Sequence, residues 1–166
     1  MTLLSAPWYR VRQFAKVARG KLNAAERREA AEVLSPPLMR LFLSMRGIAQ
    51  RHGYDVFRTL KSQGYTDRDL LAGALLHDVG KGRLGVVSRV LWVLLGKLGP
   101  QRQQLVSSPV GRWLGFWQNY HHSALGGELV ARAEGSLITV WLVRHHDLRG
   151  HVDPLLRVLQ AADDDN

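Results

Sequence analysis

The chain has 166 residues, enough for one domain with a sizeable core. It carries no cysteine, which excludes disulfides, zinc–thiolate sites and thiol nucleophiles, so any metal must be held by nitrogen and oxygen donors. Its formal charge of +9, from 23 Lys and Arg against 14 Asp and Glu, favours anionic partners: phosphorylated small molecules, nucleic acid or anionic lipid.

The apolar periodicity is helical throughout. Pro7 to Arg19 interleaves Trp8, Val11, Phe14 and Ala18 with Arg10, Arg12, Lys16 and Arg19, which predicts a basic amphipathic helix. Such a helix either packs on the domain or meets an anionic surface, nucleic acid or membrane. Asn23 with Glu26 resembles a capping box opening a helix to about Leu34, and Ser35-Pro36-Pro37 makes a hard boundary. The predicted organisation is a basic N-terminal extension over 1–35 and one helical domain over 36–166. A long helix is predicted from Leu38 to Gln63, with Gly47 and Gly53 as weak points and Gly64 as its stop. Thr66 with Asp69 predicts the next start, and Gly80 and Gly82 its end. Further helices are predicted over Arg83–Leu98, Gln101–Gln118, Tyr120–Ala133, Ser136–His146 and Asp153–Ala162. No alternating strand pattern of useful length appears, so the fold class is all-α. No secretory leader and no run of about 18 apolar residues is visible, so a cytoplasmic protein is expected.

Five features carry potential chemistry: His52, His77-Asp78, His122, His145-His146 and Asp163. Imidazole and carboxylate suit iron, manganese, zinc, cobalt or nickel. Neighbours on a regular helix diverge by about 100°, so an adjacent pair can converge on one point only at a helix end. Val79-Gly80-Lys81-Gly82 supplies such an end after His77-Asp78, and Gly150 supplies one after His145-His146. His121 competes with His122, and Asp164 and Asp165 with Asp163. Lys81 suits either solvent or a phosphate.

The run Leu70 to Leu76 followed by His77-Asp78-Val79-Gly80-Lys81 resembles the signature of the HD superfamily of metal-dependent phosphohydrolases, an HD-domain helical bundle. His52, 25 positions upstream of His77, and Asp163 complete that family's basic set. His122 with Gly126, and then His145-His146, are similar to the bimetallic HD-GYP and PgpH-like branch, although no Gly-Tyr-Pro motif follows. The resemblance implies two divalent metal ions, iron or manganese in the first place and zinc, cobalt or nickel in the second. His52, His77, Asp78 and Asp163 would hold one ion and His122, His145 and His146 the other, with Asp78 bridging. The implied reaction is hydrolysis of a phosphomonoester or phosphodiester, nucleotide-type, by a two-metal-activated water, with Asp78 and Lys81 as catalytic residues. His122 follows Asp78 by 44 positions, long for the family, and this insert around Trp92 suits a lid or pocket wall. Two other classes share the ligand types: HD-fold di-iron oxygenases, and a non-catalytic metal-containing module that binds nucleotide or nucleic acid. Oligomeric state has no signature in the sequence.

Overall fold

The computed structural model describes residues 21–81, 111–150 and 152–166. The predicted basic helix Pro7–Arg19, the helix Arg83–Leu98 with its Trp92 stripe, and most of the insert lie outside the described residues, as does His151. The described residues form eight α-helices and no strand: α1 Ala24–Val33, α2 Pro36–Ser44, α3 Gly47–Ser62, α4 Arg68–Leu76, α5 Leu114–Tyr120, α6 His122–Arg132, α7 Leu137–His145 and α8 Pro154–Asp164. The all-α expectation is met. None of these helices is long and apolar enough to cross a membrane.

Helix α4 is the axis of the bundle. Every residue from Leu70 to Leu76 is buried, a pattern only a helix surrounded on all sides can satisfy. Helices α1, α3, α7 and α8 pack around it. Helix α3 presents Gly53, Val56, Phe57 and Leu60 at steps of three and four residues. Gly53 is required there: a Cβ on it would lie 2.6 Å from the Leu75 carbonyl oxygen. This close crossing brings His52, its neighbour on α3, to the end of α4. Leu22, Ala30 and Leu34, assigned from sequence to the N-terminal extension, belong to the same core as Phe57, Leu75, Leu142 and Leu159.

Several helix ends follow the sequence reading. Asn23 and Glu26 exchange both bonds of a capping box. Gly64, at φ +89°, closes α3 with Tyr65 N–H on the Leu60 carbonyl and its own N–H on the Lys61 carbonyl. Others depart from it. The expected helix Leu38–Gln63 is two helices, because Met45 and Arg46 are extended. The Gln50 amide donates to the carbonyls of Leu43 and Met45 and so caps the end of α2. The cap of α4 is Asp67, bonded to Leu70 N–H, and not Thr66 with Asp69. Asp69 instead accepts the hydroxyls of Ser136 and Thr139 at the start of α7. Gln101–Gln118 is not one helix where described: a 3₁₀ turn, Gly111–Trp113, precedes α5.

Candidate metal centre

The centre is built from helix ends, with His52 added from within α3. Helix α4 stops at Leu76, and His77 and Asp78 both lie in the turn beyond it, closed by Val79 N–H on the Leu76 carbonyl and Lys81 N–H on the Asp78 carbonyl. This turn lies directly against α6. A Cβ on Gly80 would sit 2.0 Å from the His122 carbonyl oxygen and 2.6 Å from Gly126 N. Gly126 is less tight but still close, its Cβ position lying 3.0 Å from Val143 Cγ1 and 3.4 Å from Gly80 N. Two glycines therefore let backbone meet backbone and bring Asp78 within reach of His122.

Three imidazoles are oriented by one device. The Nδ1 of His77, His122 and His146 lies 2.8–2.9 Å from the carbonyl oxygens of Ala74, Asn119 and Val143, each three residues earlier in the last turn of a helix. The last turn of a helix is where carbonyls lose their regular i+4 donor. A carbonyl only accepts, so Nδ1 carries the proton and donates, and Nε2 is left as a bare lone pair aimed inward.

The inward atoms then face one another without protons between them. His122 Nε2 is 3.1 Å from His146 Nε2. His77 Nε2 is 3.5 Å from Asp78 Oδ1 and 3.5 Å from Asp163 Oδ1. Asp78 Oδ1 is 3.8 Å from His146 Nε2 and 4.0 Å from His122 Nε2. His77 Nε2 and Asp78 Oδ1 are both buried with no hydrogen-bond partner. Buried acceptors set against one another are costly unless a cation satisfies them. Donors held about 2.0–2.2 Å from a common ion are themselves about 3–3.5 Å apart, close to these separations. The donors form two triads, His52–His77–Asp163 and Asp78–His122–His146, and each fits a divalent metal ion. Asp78 Oδ1 also lies 3.5 Å from His77 Nε2 of the first triad.

Electrostatics keep the donors ready for a metal. Burial drives the His77 imidazole down to about 4 against the pull of Asp78 and Asp163. Burial opposes ionisation of Asp78, but His77 and Lys81 outweigh it and hold the carboxyl below the ordinary carboxylate range. At neutral pH, where His77 is uncharged, the Lys81 ammonium does this, with Nζ 2.6 Å from Asp78 Oδ2. Asp163 is likewise opposed by burial, yet its hydrogen bond from His52, 2.8 Å long, brings it to about 2. Burial first, then His146 and Lys81, lower His122. Neutral imidazoles and ionised carboxylates are the forms that ligate.

Not every residue named from sequence converges. His145 is the last residue of α7, its Nδ1 bonded to the Trp141 carbonyl and its ring 4.9 Å from Trp141, and it belongs to neither triad. The expected set of seven donors is thus six in the two triads. His121 packs between Trp117 and Tyr120, at 4.9 Å from each, while His122 faces the centre. Asp164 points away and takes a bidentate bond from Arg149. Lys81 borders a cleft of about 680 Å³ between α5 and α6, walled by Leu114, Gln118, Leu125, Glu128 and Arg132. The orienting carbonyls of Ala74, Asn119 and Val143 have no residue-type signature, though a histidine three residues past a carbonyl at a helix end would have revealed them.

A family model described as HD domain matches residues 39–165. No curated protein and no solved structure matches the chain.

Proposed function

The chain belongs to the HD-domain family, and on that premise we propose that it is a metal-dependent phosphohydrolase that cleaves a phosphomonoester or phosphodiester of nucleotide type. The observation that carries this reading is the pair of triads joined through the buried, unpartnered Oδ1 of Asp78. When bound, two divalent metal ions would supply Lewis acidity and an activated water.

The protein's part is positioning and charge. His52, His77 and Asp163 would hold one ion, and His122 and His146 the other, with Asp78 shared between them. Tautomers fixed by backbone carbonyls keep Nε2 of His77, His122 and His146 aimed without reorganisation, whereas His52 Nε2 must exchange its proton to Asp163 for the ion. Lys81 is half-exposed and already holds Asp78 Oδ2. It is placed to offer its other N–H donors to a phosphoryl oxygen as negative charge builds there. His52 and Asp163 are each about a quarter exposed, so solvent reaches the centre from the first triad. The cleft beside Lys81 has room for the organic part of an ester, with Arg132 and Glu128 as polar walls. The net charge of +9 favours an anionic substrate.

The test is metal counting on untagged protein by plasma mass spectrometry, followed by a panel of nucleotide mono- and diesters with manganese or iron restored. Near two equivalents and metal-dependent phosphate release are expected. Oxygen uptake by the iron form without phosphate release would replace this reading with an HD-fold oxygenase.

A further inference from the structure

One buried polar residue joins the two triads and is itself no ligand. Gln160 lies on α8, one turn before Asp163, and is only 7% exposed. Its Nε2 donates to the carbonyl of His146 at 2.9 Å and to that of Leu148 at 2.8 Å. Both partners are carbonyls, so both amide hydrogens are used and the orientation of the amide is settled. The two bonds tie the turn that presents His146 to the helix that presents Asp163. The other side-chain pair that links these segments among the described residues lies at the surface. Arg149 reaches Asp164 through two 2.7 Å bonds, but both side chains are more than half exposed, and such pairs contribute little. Leu142 and Val143 of α7 and Leu156 and Leu159 of α8 share the apolar core, and apolar packing does not fix the direction of a carbonyl.

We propose that Gln160 is a positioning residue that couples the two metal sites. An ion on Asp163 fixes the end of α8, Gln160 transmits that order to the His146 turn, and the second ion then meets a triad already in place. The coupling is reciprocal: an ion at His146 orders Asp163 by the same route. The inference rests on the two-metal reading of the centre.

The experiment titrates metal-free protein with Mn²⁺, reading stoichiometry and stepwise affinity by calorimetry and the spin-coupled pair by electron paramagnetic resonance. Wild type should bind two equivalents and show the coupled signal. Gln160→Leu keeps the bulk and removes both donors. Its second equivalent should bind about tenfold to a hundredfold more weakly, the usual effect of losing a group that orients a ligand, and uncoupled Mn²⁺ should appear at low loading. Gln160→Asn keeps the amide with a shorter reach; it should fall between the two and covers the case in which the leucine variant does not fold. Ser136→Ala loosens the far end of α7 and serves as the stability control. It should lower Tm with Mn²⁺ affinities within about twofold of wild type. If both Gln160 variants fold and bind two Mn²⁺ as tightly as wild type with the same coupled signal, the coupling role is wrong. It is equally wrong if Ser136→Ala weakens binding as much as Gln160→Leu. Wild type that binds no Mn²⁺ overturns the metal reading instead.

Discussion

Two adjacent doublets, His77-Asp78 and His145-His146, sit at the ends of α4 and α7, and they differ by one residue in where the helix stops. Helix α4 ends at Leu76, so both members of the first doublet lie in the turn and converge on the centre. Helix α7 ends at His145, so that histidine keeps helical geometry and points toward Trp141 while His146 turns inward. Both members of the first doublet thus reach the centre, and only one member of the second does. Two donors in a row are not two ligands; the position of the last helical hydrogen bond decides.

The largest effect should come from Asp78 of the first doublet, whose Oδ1 lies within 4.0 Å of Nε2 atoms from both triads. Asp78→Ala should leave less than one metal per chain. The proposed phosphohydrolase activity should fall about a thousandfold or more, since several kcal/mol of transition-state stabilisation would go with the lost metals. Plasma mass spectrometry and steady-state rates check both. Retention of two metals would show that the doublet is not shared. The sharpest test of the comparison is the second doublet. His146→Ala should cost the second metal and about a hundredfold or more in rate, whereas His145→Ala should cost less than about tenfold through lost orientation. Equal losses would mean that α7 unwinds by a residue when metal binds and that both histidines ligate.

Gly80→Ala probes the contact that delivers the first doublet. The added Cβ would overlap the His122 carbonyl, so the turn must shift, and we expect about 2–4 kcal/mol of destabilisation seen as a lower Tm. Gly64→Ala meets nothing within 4 Å and strains only φ, so about 1 kcal/mol is expected. Similar Tm shifts for the two would mean that the turn against α6 is looser than the structure places it.

The sequence carried what local chemistry writes into residue types. The capping box at Asn23 and Glu26 and the stop at Gly64 are read directly, and both are present. The apolar run Leu70–Leu76 marks a buried helix, and the Gly-rich segment after it marks the end that frees His77 and Asp78. What could not be read depends on partners distant in sequence or on backbone atoms. The break between α2 and α3 is held by the Gln50 side chain reaching back to Leu43 and Met45. Asp69 looks like a capping residue and is instead taken by Ser136 and Thr139, 67 and 70 positions away. His52 and Asp163 meet across 111 positions, and only the resemblance to the HD family joins them in advance. The imidazole tautomers are set by carbonyls that every residue possesses, so no residue type marks them, and only the three-residue offset of each histidine from a helix end could.

The smallest predicted effect separates the acid sensitivity of the scaffold from that of the doublets. Glu29 on α1 accepts from Tyr54, Arg58 and Lys61 on α3. Burial would raise its pKa, but the Tyr54 hydroxyl and the two cations outweigh burial and lower it to about 2 from 4.5. The carboxylate is therefore favoured in the folded state. Its contribution is complete above pH 4.5 and is lost as the pH falls from 4.5 toward 2. Protonation of the imidazole donors competes with metal and is a separate process. Circular dichroism against pH in the presence of a chelator isolates the scaffold limb. Tyr54→Phe removes the strongest of the contacts that lower this pKa, so the limb should move upward by a few tenths of a pH unit, the size of one lost hydrogen bond partly compensated by Arg58 and Lys61. An unchanged limb would place the acid sensitivity in the centre, and the comparison of the doublets by metal content would then have to be made above the pH at which the metal-free protein unfolds.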